Sequence, residues 1–350
     1  MIKVKQIMSG AALAAVVAIS GCTTINKTAL STAAPTKGGA VILKTAMVEN
    51  ENAYEAGRTA AEQLLTRLNG NNPHAILMVD CFDSKELKEQ AIDGVASIFD
   101  ANVIFGGAVY GMYTQDGAFD TDGVSLMAIA GNGVQVQTAL AENMGASGLS
   151  LETQKDQLIK ALNKGGESLA KQIQDVKTTD LMIVMGDAHS PKNQYLLDGI
   201  QNITGKKLPI TGGSISKNDG LTFVYYRGEL YKDAAIAIAL NGDFNVAQSG
   251  RQAKSNDKVI STAKEGSATA IKALGSNPFA VIAYDCAGRM GKVDNLTDEL
   301  NAIKSNITPS TPIFGCYCAG EFGPADTTLE KADNTSKGRG WHVMFSVLGK

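Results

Sequence analysis

Short runs of uninterrupted apolar residues alternate along this chain with longer stretches whose apolar positions return every three to four residues. Ala75-Ile-Leu-Met-Val-Asp-Cys81, Asp180-Leu-Met-Ile-Val-Met-Gly-Asp187 and Phe279-Ala-Val-Ile-Ala-Tyr-Asp-Cys286 read as strands buried on both faces. Each is preceded by a helical pattern, over 54–68, 151–174 and 257–274, and followed by another, over 84–99, 193–203 and 296–307. A second set of strands ends on small residues: Val103-Ile-Phe-Gly-Gly107, Pro209-Ile-Thr-Gly-Gly213 and Pro312-Ile-Phe-Gly-Cys316. Turn-rich segments carrying Asp116-Gly117, Asp122-Gly123, Asp219-Gly220 and Arg227-Gly228 follow. Apolar strands over 124–130, 234–240 and 341–348 close each group.

The order repeats at a nearly constant period. Gly106, Gly212 and Gly315 lie 106 and 103 residues apart, and Asp80, Gly186 and Asp285 lie 106 and 99 apart. Two landmarks at one period predict internal triplication. The expected fold class is α/β: three related αβαβ(β) units with mixed sheets. An αββα-like layered arrangement fits this order as well as a single open sheet.

The first 22 residues stand apart. Lys3 and Lys5 precede an apolar stretch too short to span a bilayer comfortably, which ends at Ile19-Ser-Gly-Cys22. This resembles a bacterial lipoprotein signal, which implies lipidation of Cys22 and, with Thr23 next, an outer-membrane or cell-surface location facing the periplasm or exterior. Residues 23–38 read as a flexible tether rich in Thr, Ser, Ala and Lys. The body begins near residue 39 and is long enough for a substantial core. Loss of Lys3 and Lys5 on processing would move the net charge from −3 to −5. No basic stripe is present, so nucleic acid is not an expected partner.

Cys81, Cys286, Cys316 and Cys318 remain in the body. A Cys286–Cys316 or Cys286–Cys318 disulfide and a set of small buried thiols are both open readings. Their spacing does not suit a zinc site, and no phosphate loop or dinucleotide fingerprint appears, so no cofactor is expected.

Asp285-Cys-Ala-Gly-Arg289, followed by Phe314-Gly-Cys-Tyr-Cys-Ala-Gly-Glu-Phe322 and a closing strand with His342, resembles the FIST family of bacterial sensory domains. The stretch from Ile210-Thr-Gly-Gly-Ser214 to Ala239-Leu-Asn-Gly-Asp243 is similar to its N-terminal part. The resemblance implies a FIST N-like region over 39–245 and a FIST C-like region over 246–350. It also implies capture of a small ligand, an amino acid or small carboxylate, for signal transduction through a signalling protein partner. Cys316 departs from the glycine-pair pattern, and no attached kinase, cyclase or methyl-accepting segment is expected.

Ligands collect where strand ends meet variable loops. Arg289 is the expected grip for a carboxylate and Glu321 for an ammonium group. Asp187, His189, Cys286 and the Cys316–Cys318 loop are expected to shape the cavity, and Gly212, Gly213 and Gly315 to allow close approach. Asp83 is expected to cap the helix after it. The protein is expected not to be an enzyme. The alternatives are a thiol enzyme pairing Cys286 or Cys316 with His342 or His189, and a membrane-tethered scaffold.

Overall fold

The structure, a computed structural model, describes residues 30–217, 220–326, 333 and 335–350. The expected signal segment, Cys22 and the first part of the expected tether lie outside the described residues. The first unit comprises β1 (Ile42–Glu49), α1 (Ala53–Leu68), β2 (Pro73–Asp80), α2 (Lys85–Ala96), β3 (Ile104–Ala108), the hairpin β4 (Gly111–Thr114) and β5 (Gly117–Phe119), and β6 (Gly123–Ala130). The second comprises β7 (Val134–Ala141), α3 (Lys155–Gln172), β8 (Leu181–Gly186), α4 (Asn193–Thr204), β9 (Ile210–Ser214), the hairpin β10 (Val224–Tyr226) and β11 (Glu229–Tyr231), and β12 (Ala235–Gly242). The third comprises β13 (Asn245–Gln252), α5 (Asn256–Leu274), β14 (Pro278–Cys286), α6 (Ala287–Met290), α7 (Leu296–Lys304), β15 (Ile313–Cys318), the hairpin β16 (Glu321–Pro324) and β17 (Ser336–Arg339), and β18 (His342–Gly349).

Local chemistry sets the element ends. Asn52 accepts from the Glu55 N–H and Ser84 from the Leu87 N–H, satisfying donors that a helix start leaves free. Ser84, rather than the expected Asp83, is therefore the cap of α2. Asn69 and Gly275 end α1 and α5 in the left-handed conformation. Arg227 and Gly228 both have positive φ, as the tight β10–β11 turn requires.

The described residues form three sheets of six strands, ordered β1-β6-β2-β3-β10-β11, β7-β12-β8-β9-β16-β17 and β13-β18-β14-β15-β4-β5. Four strands of each sheet come from one unit. The last two are the hairpin of another: the second unit's hairpin completes the first sheet, the third's completes the second, and the first's completes the third. The registers of the parallel pairs place Met78 opposite Gly106, Val184 opposite Gly212 and Ala283 opposite Gly315. The three glycines are equivalent positions, as the repeat predicts.

Strand alternation sorts the core. Leu77 and Val79 of β2, Ile183 and Met185 of β8, and Ile282 and Tyr284 of β14 face a central core shared by the three sheets. Met78, Val184 and Ala283 face outward, each into a separate core formed with its own unit's helices. Both faces are covered, which is why these strands read as continuous apolar runs.

The hairpin exchange explains the glycines. Tyr225 lies opposite Gly106, Phe322 opposite Gly212 and Tyr113 opposite Gly315. Each aromatic side chain plugs the outer core of the unit it joins. A Cβ on Gly315 would fall inside the Tyr113 ring, and Gly106 and Gly212 hold φ values of 152° and 146°. The chain leaves each of these strands through one equivalent crossing. Ser216 N–H donates to Ala108 O (2.8 Å), Ala319 N–H to Ser214 O (2.9 Å) and Tyr110 N–H to Tyr317 O (2.9 Å). Val109, Ile215 and Cys318, between these partners, close one end of the central core. A Cβ on Gly107 would strike Ile215, and one on Gly213 would strike Cys318.

Part of the expected tether is also bound. Thr32 N–H donates to Val136 O, Thr138 N–H to Leu30 O and Thr36 N–H to Asn132 O, so the chain adds to the edge of β7. The expected division at 245–246 falls on the first residues of β13.

Candidate functional site

The three units end β2, β8 and β14 differently. In the first, Asp80 is fully buried, accepts from Phe82 N–H and takes the Tyr225 hydroxyl at 2.5 Å. Burial pushes its carboxyl up to about 6. In the third, Asp285 accepts from Cys286 N–H and from Arg289 Nε, both at 2.7 Å. The second has Gly186 at this position, where a Cβ would press on Ala235 and Leu196.

Arg289 is the main correction to the sequence reading. Its side chain is wholly buried, and the guanidinium is committed to Asp285, Glu299 (2.5 Å), Val259 O and Thr262 Oγ1 (each 3.1 Å). It faces α5 and α7 on the outer side of its sheet and has no path to a ligand. One cation between two buried acids neutralises only one of them. Burial raises the Asp285 carboxyl well above the usual range, opposed by Arg289 and reinforced by Glu299. Asp285 Oδ2 has no hydrogen-bond partner among the described residues.

Glu321 does not present itself to solvent either. It is fully buried at the start of β16, where Oε2 accepts from His342 N–H at 3.1 Å. Burial pushes its carboxyl up to about 8. The family motif does converge here: Cys286 and Cys318 both approach Glu321, with Cys318 Sγ 4.0 Å from Oε1. All four body cysteines are free thiols. Burial raises Cys286 to about 12 and Cys316 further. The His342 ring turns to Gly340 O and Asp326, and the His189 ring to Ile215 O, so neither ring is hydrogen-bonded to Cys286 or Cys316 as the thiol-enzyme alternative would have it. Gly212, Gly213 and Gly315 serve the interlock of the units, and none of them borders the cavity beside β8.

Asp187 and His189, by contrast, do border a cavity. It measures about 130 Å³ and lies at the C-terminal end of β8, between the 146–148 loop and the β9–β10 connection. His189 Nε2–H donates to Ile215 O at 2.8 Å, and burial lowers its pKa, leaving Nδ1 as an acceptor near neutral pH. The half-buried Asp187 carboxylate and the Lys217 and Lys232 ammonium groups line the same space, with no side-chain partner among the described residues. Asp233 is structural, accepting from the N–H groups of Gly145, Ala146 and Ser147. Acceptors and ammonium groups around one small space suit a small molecule carrying both charges.

Sequence reasoning missed Lys217 and Lys232. Its one available clue was Gly186, which breaks the Asp pattern of the other units. Ser190 and Asn193 join this loop to the third unit: Ser190 N–H donates to Ala319 O, and Asn193 Nδ2 donates to Glu321 O and Arg339 O.

These features define an α/β domain of three interlocked units with a polar, ligand-sized cavity at one strand end. The FIST N domain profile matches residues 81–266 and the FIST C domain profile residues 218–324. The chain belongs to the FIST family of sensory domains, as its motifs predict. No curated protein matches it in sequence. Among solved structures, cyanuric acid hydrolase from A. caulinodans is similar at a TM-score of 0.42 and 12% identity, over 89% of this chain and 99% of that one. A second cyanuric acid hydrolase structure gives 0.43 and 11% over the same shares. Phosphoribosylformylglycinamidine synthase II from Thermotoga maritima gives 0.26 and 10%, over 89% and 72%. Nothing about activity follows from likenesses at this level.

Proposed function

We propose that this protein is a lipid-anchored, extracytoplasmic sensory protein that captures a small amphoteric ligand, an amino acid or small carboxylate, in the β8-end cavity. Capture serves signal transduction through a separate partner protein and involves no catalysis. The carrying observation is the cavity lined by His189, Asp187, Lys217 and Lys232, the last three without a side-chain partner among the described residues. Asp187 and His189 Nδ1 would take the cationic end of the ligand, and Lys217 and Lys232 the anionic end. The cavity is well below the roughly 300–1,000 Å³ of sites for drug-sized ligands, which restricts the ligand to few heavy atoms. The candidate thiols lie outside it. Anchoring would come from acylated Cys22.

Calorimetry and thermal shift against amino acids and small carboxylates test this. A ligand at about 100 times its Kd adds about 2.7 kcal/mol of stability. Asp187→Asn and Lys217→Ala each remove one charged hydrogen bond, about 1.5–3 kcal/mol, so affinity is expected to fall roughly 10- to 150-fold with little change in unliganded stability. No binding across the panel, or binding indifferent to both substitutions, refutes the site. Cys22→Ser is expected to move the protein from the membrane to the soluble fraction.

A further inference from the structure

The strands β1 and β7 begin their units and lie at the edges of their sheets. Their registers make Leu43, Lys44 and Thr45 the equivalents of Val136, Gln137 and Thr138. On β7 the edge is taken. Thr32 N–H donates to Val136 O (3.0 Å), Val136 N–H to Thr32 Oγ1 (2.9 Å) and Thr138 N–H to Leu30 O (2.9 Å), and Ser31 stands antiparallel opposite Gln137. Leu30 packs against the central core. On β1 the Thr45 O atom is met by Arg67 Nη1 at 2.7 Å. That bond shows the Thr45 backbone turned away from β6, and alternation turns Leu43 the same way. Outside the β1–β6 ladder, no described residue meets Leu43 N–H, Leu43 O or Thr45 N–H.

Leu43 and Lys44 line a groove of about 600 Å³, a volume in the range of pockets that hold drug-sized molecules. Pro278, Phe279 and the 308–312 loop of the third unit border the same space. Phe279 packs against the central core, as Leu30 does beside β7, so this part of the groove suits apolar side chains. Alternation puts Lys44 on the opposite face of β1 from Leu43. Arg67 is neutralised by Asp116, whereas Lys44 has no side-chain partner among the described residues. A lysine on a sheet edge deters a neutral or basic strand and favours one with an acid across from it. Residues 23–38 carry Lys27 and Lys37 and no acid, so the same segment of a second copy does not match this edge.

We propose that the β1 edge is a docking site for an extended segment of a partner protein that reads apolar–acidic–apolar. The segment adds antiparallel to β1, as residues 30–36 add to β7. Its first residue bonds Thr45 N–H and its third bonds Leu43 N–H and O, and both turn their side chains toward Phe279. The acid between them pairs with Lys44. Main-chain hydrogen bonds supply the affinity, and the alternating side chains the selectivity. The site does not depend on the β8-end cavity or on its ligand.

The experiment titrates the native full chain into a labelled synthetic peptide of residues 28–36 carrying Ser31→Glu, read by fluorescence polarisation at low ionic strength. This peptide is expected to bind, and its Ser31→Lys counterpart to bind at least about 5-fold more weakly. Lys44→Glu in the protein is expected to reverse that order. A methyl on the backbone nitrogen of peptide residue 32, which faces β1, is expected to abolish binding; one on residue 31, which faces away, is expected to leave it. No binding of the Ser31→Glu peptide at millimolar concentration overturns the proposal. So does binding that Lys44→Glu leaves unchanged, because the β7 edge carries Gln137 and the peptide would then be replacing residues 30–36 there. Equal effects of the two methyl groups would mean a groove contact without strand pairing, and self-association dissolved by Lys44→Glu would mean a second copy on this edge; either result overturns it. The methylated pair is read on the wild-type chain and does not depend on any variant folding.

Discussion

Arg289→Met is the sharpest separation between the role its motif implies and the role its surroundings impose. The guanidinium is fully buried between Asp285 and Glu299, and Glu299 also takes the Tyr317 hydroxyl at 2.8 Å. Methionine fills much of the volume but leaves a carboxylate buried without a cation. Breaking a buried pair in this way costs about 3–5 kcal/mol. At roughly 2.1 cal/mol/K per residue, a chain of 350 residues has an unfolding entropy near 0.7 kcal/mol/K, so the midpoint should drop by about 4–7 °C. Thermal unfolding followed by circular dichroism reads this directly. The deficit should shrink at pH 5, where protonating the orphaned acid is cheap, and most of it should return in Arg289→Met with Glu299→Gln. Ligand affinity should be unchanged. A variant that melts within a degree of wild type but loses binding would refute the salt-bridge assignment and restore the carboxylate grip.

Glu321 has a folded pKa of about 8, raised by burial from 4.5. Its stabilising contribution is complete below about pH 4.5 and is lost as pH rises through about 8. The midpoint of wild type minus that of Glu321→Gln should therefore fall across that window and level off beyond it; a difference flat with pH would exclude a buried neutral acid. Gly315→Ala drives a methyl into the Tyr113 ring, so it should cost about 1–3 kcal/mol or more by chemical denaturation. A neutral result would mean the first unit's hairpin is not seated where the strand order puts it.

Much of the architecture was legible because the periodicities are strong. The six long helices and the three closing strands lie within a few residues of expectation, and the landmarks at Gly106, Gly212 and Gly315 are true equivalents. The edge strands β1, β7 and β13 were missed: Ile42–Glu49 and Asn245–Gln252 mix polar and apolar residues rather than forming an apolar run. The hairpin exchange left no trace in local pattern, because Tyr113-type residues suit a strand whichever sheet it joins. The site was legible only in part. A Cys-x-Gly-Arg motif looks the same whether the arginine faces a ligand or an interior acid, and only Asp285 and Glu299, the latter ten residues beyond, decide between them.

The same comparison explains why the cavity belongs to the second unit. Asp80 and Asp285 each draw their strand end inward, one onto Tyr225 and the Phe82 amide, the other onto Arg289 and the Cys286 amide. A buried carboxylate must be met by donors, and meeting it packs the loop shut. Gly186 makes no such demand. Asp187 and His189 then fall where solvent reaches them, and the loop is held from behind, by Ser214 Oγ on Ala188 O and by Asn193 on the β16 backbone. Placing an aspartate at 186 should therefore do more than add a charge: with Ala235 and Leu196 already against that position, it would have to push the β8 end outward, and the cavity would be the first space it filled.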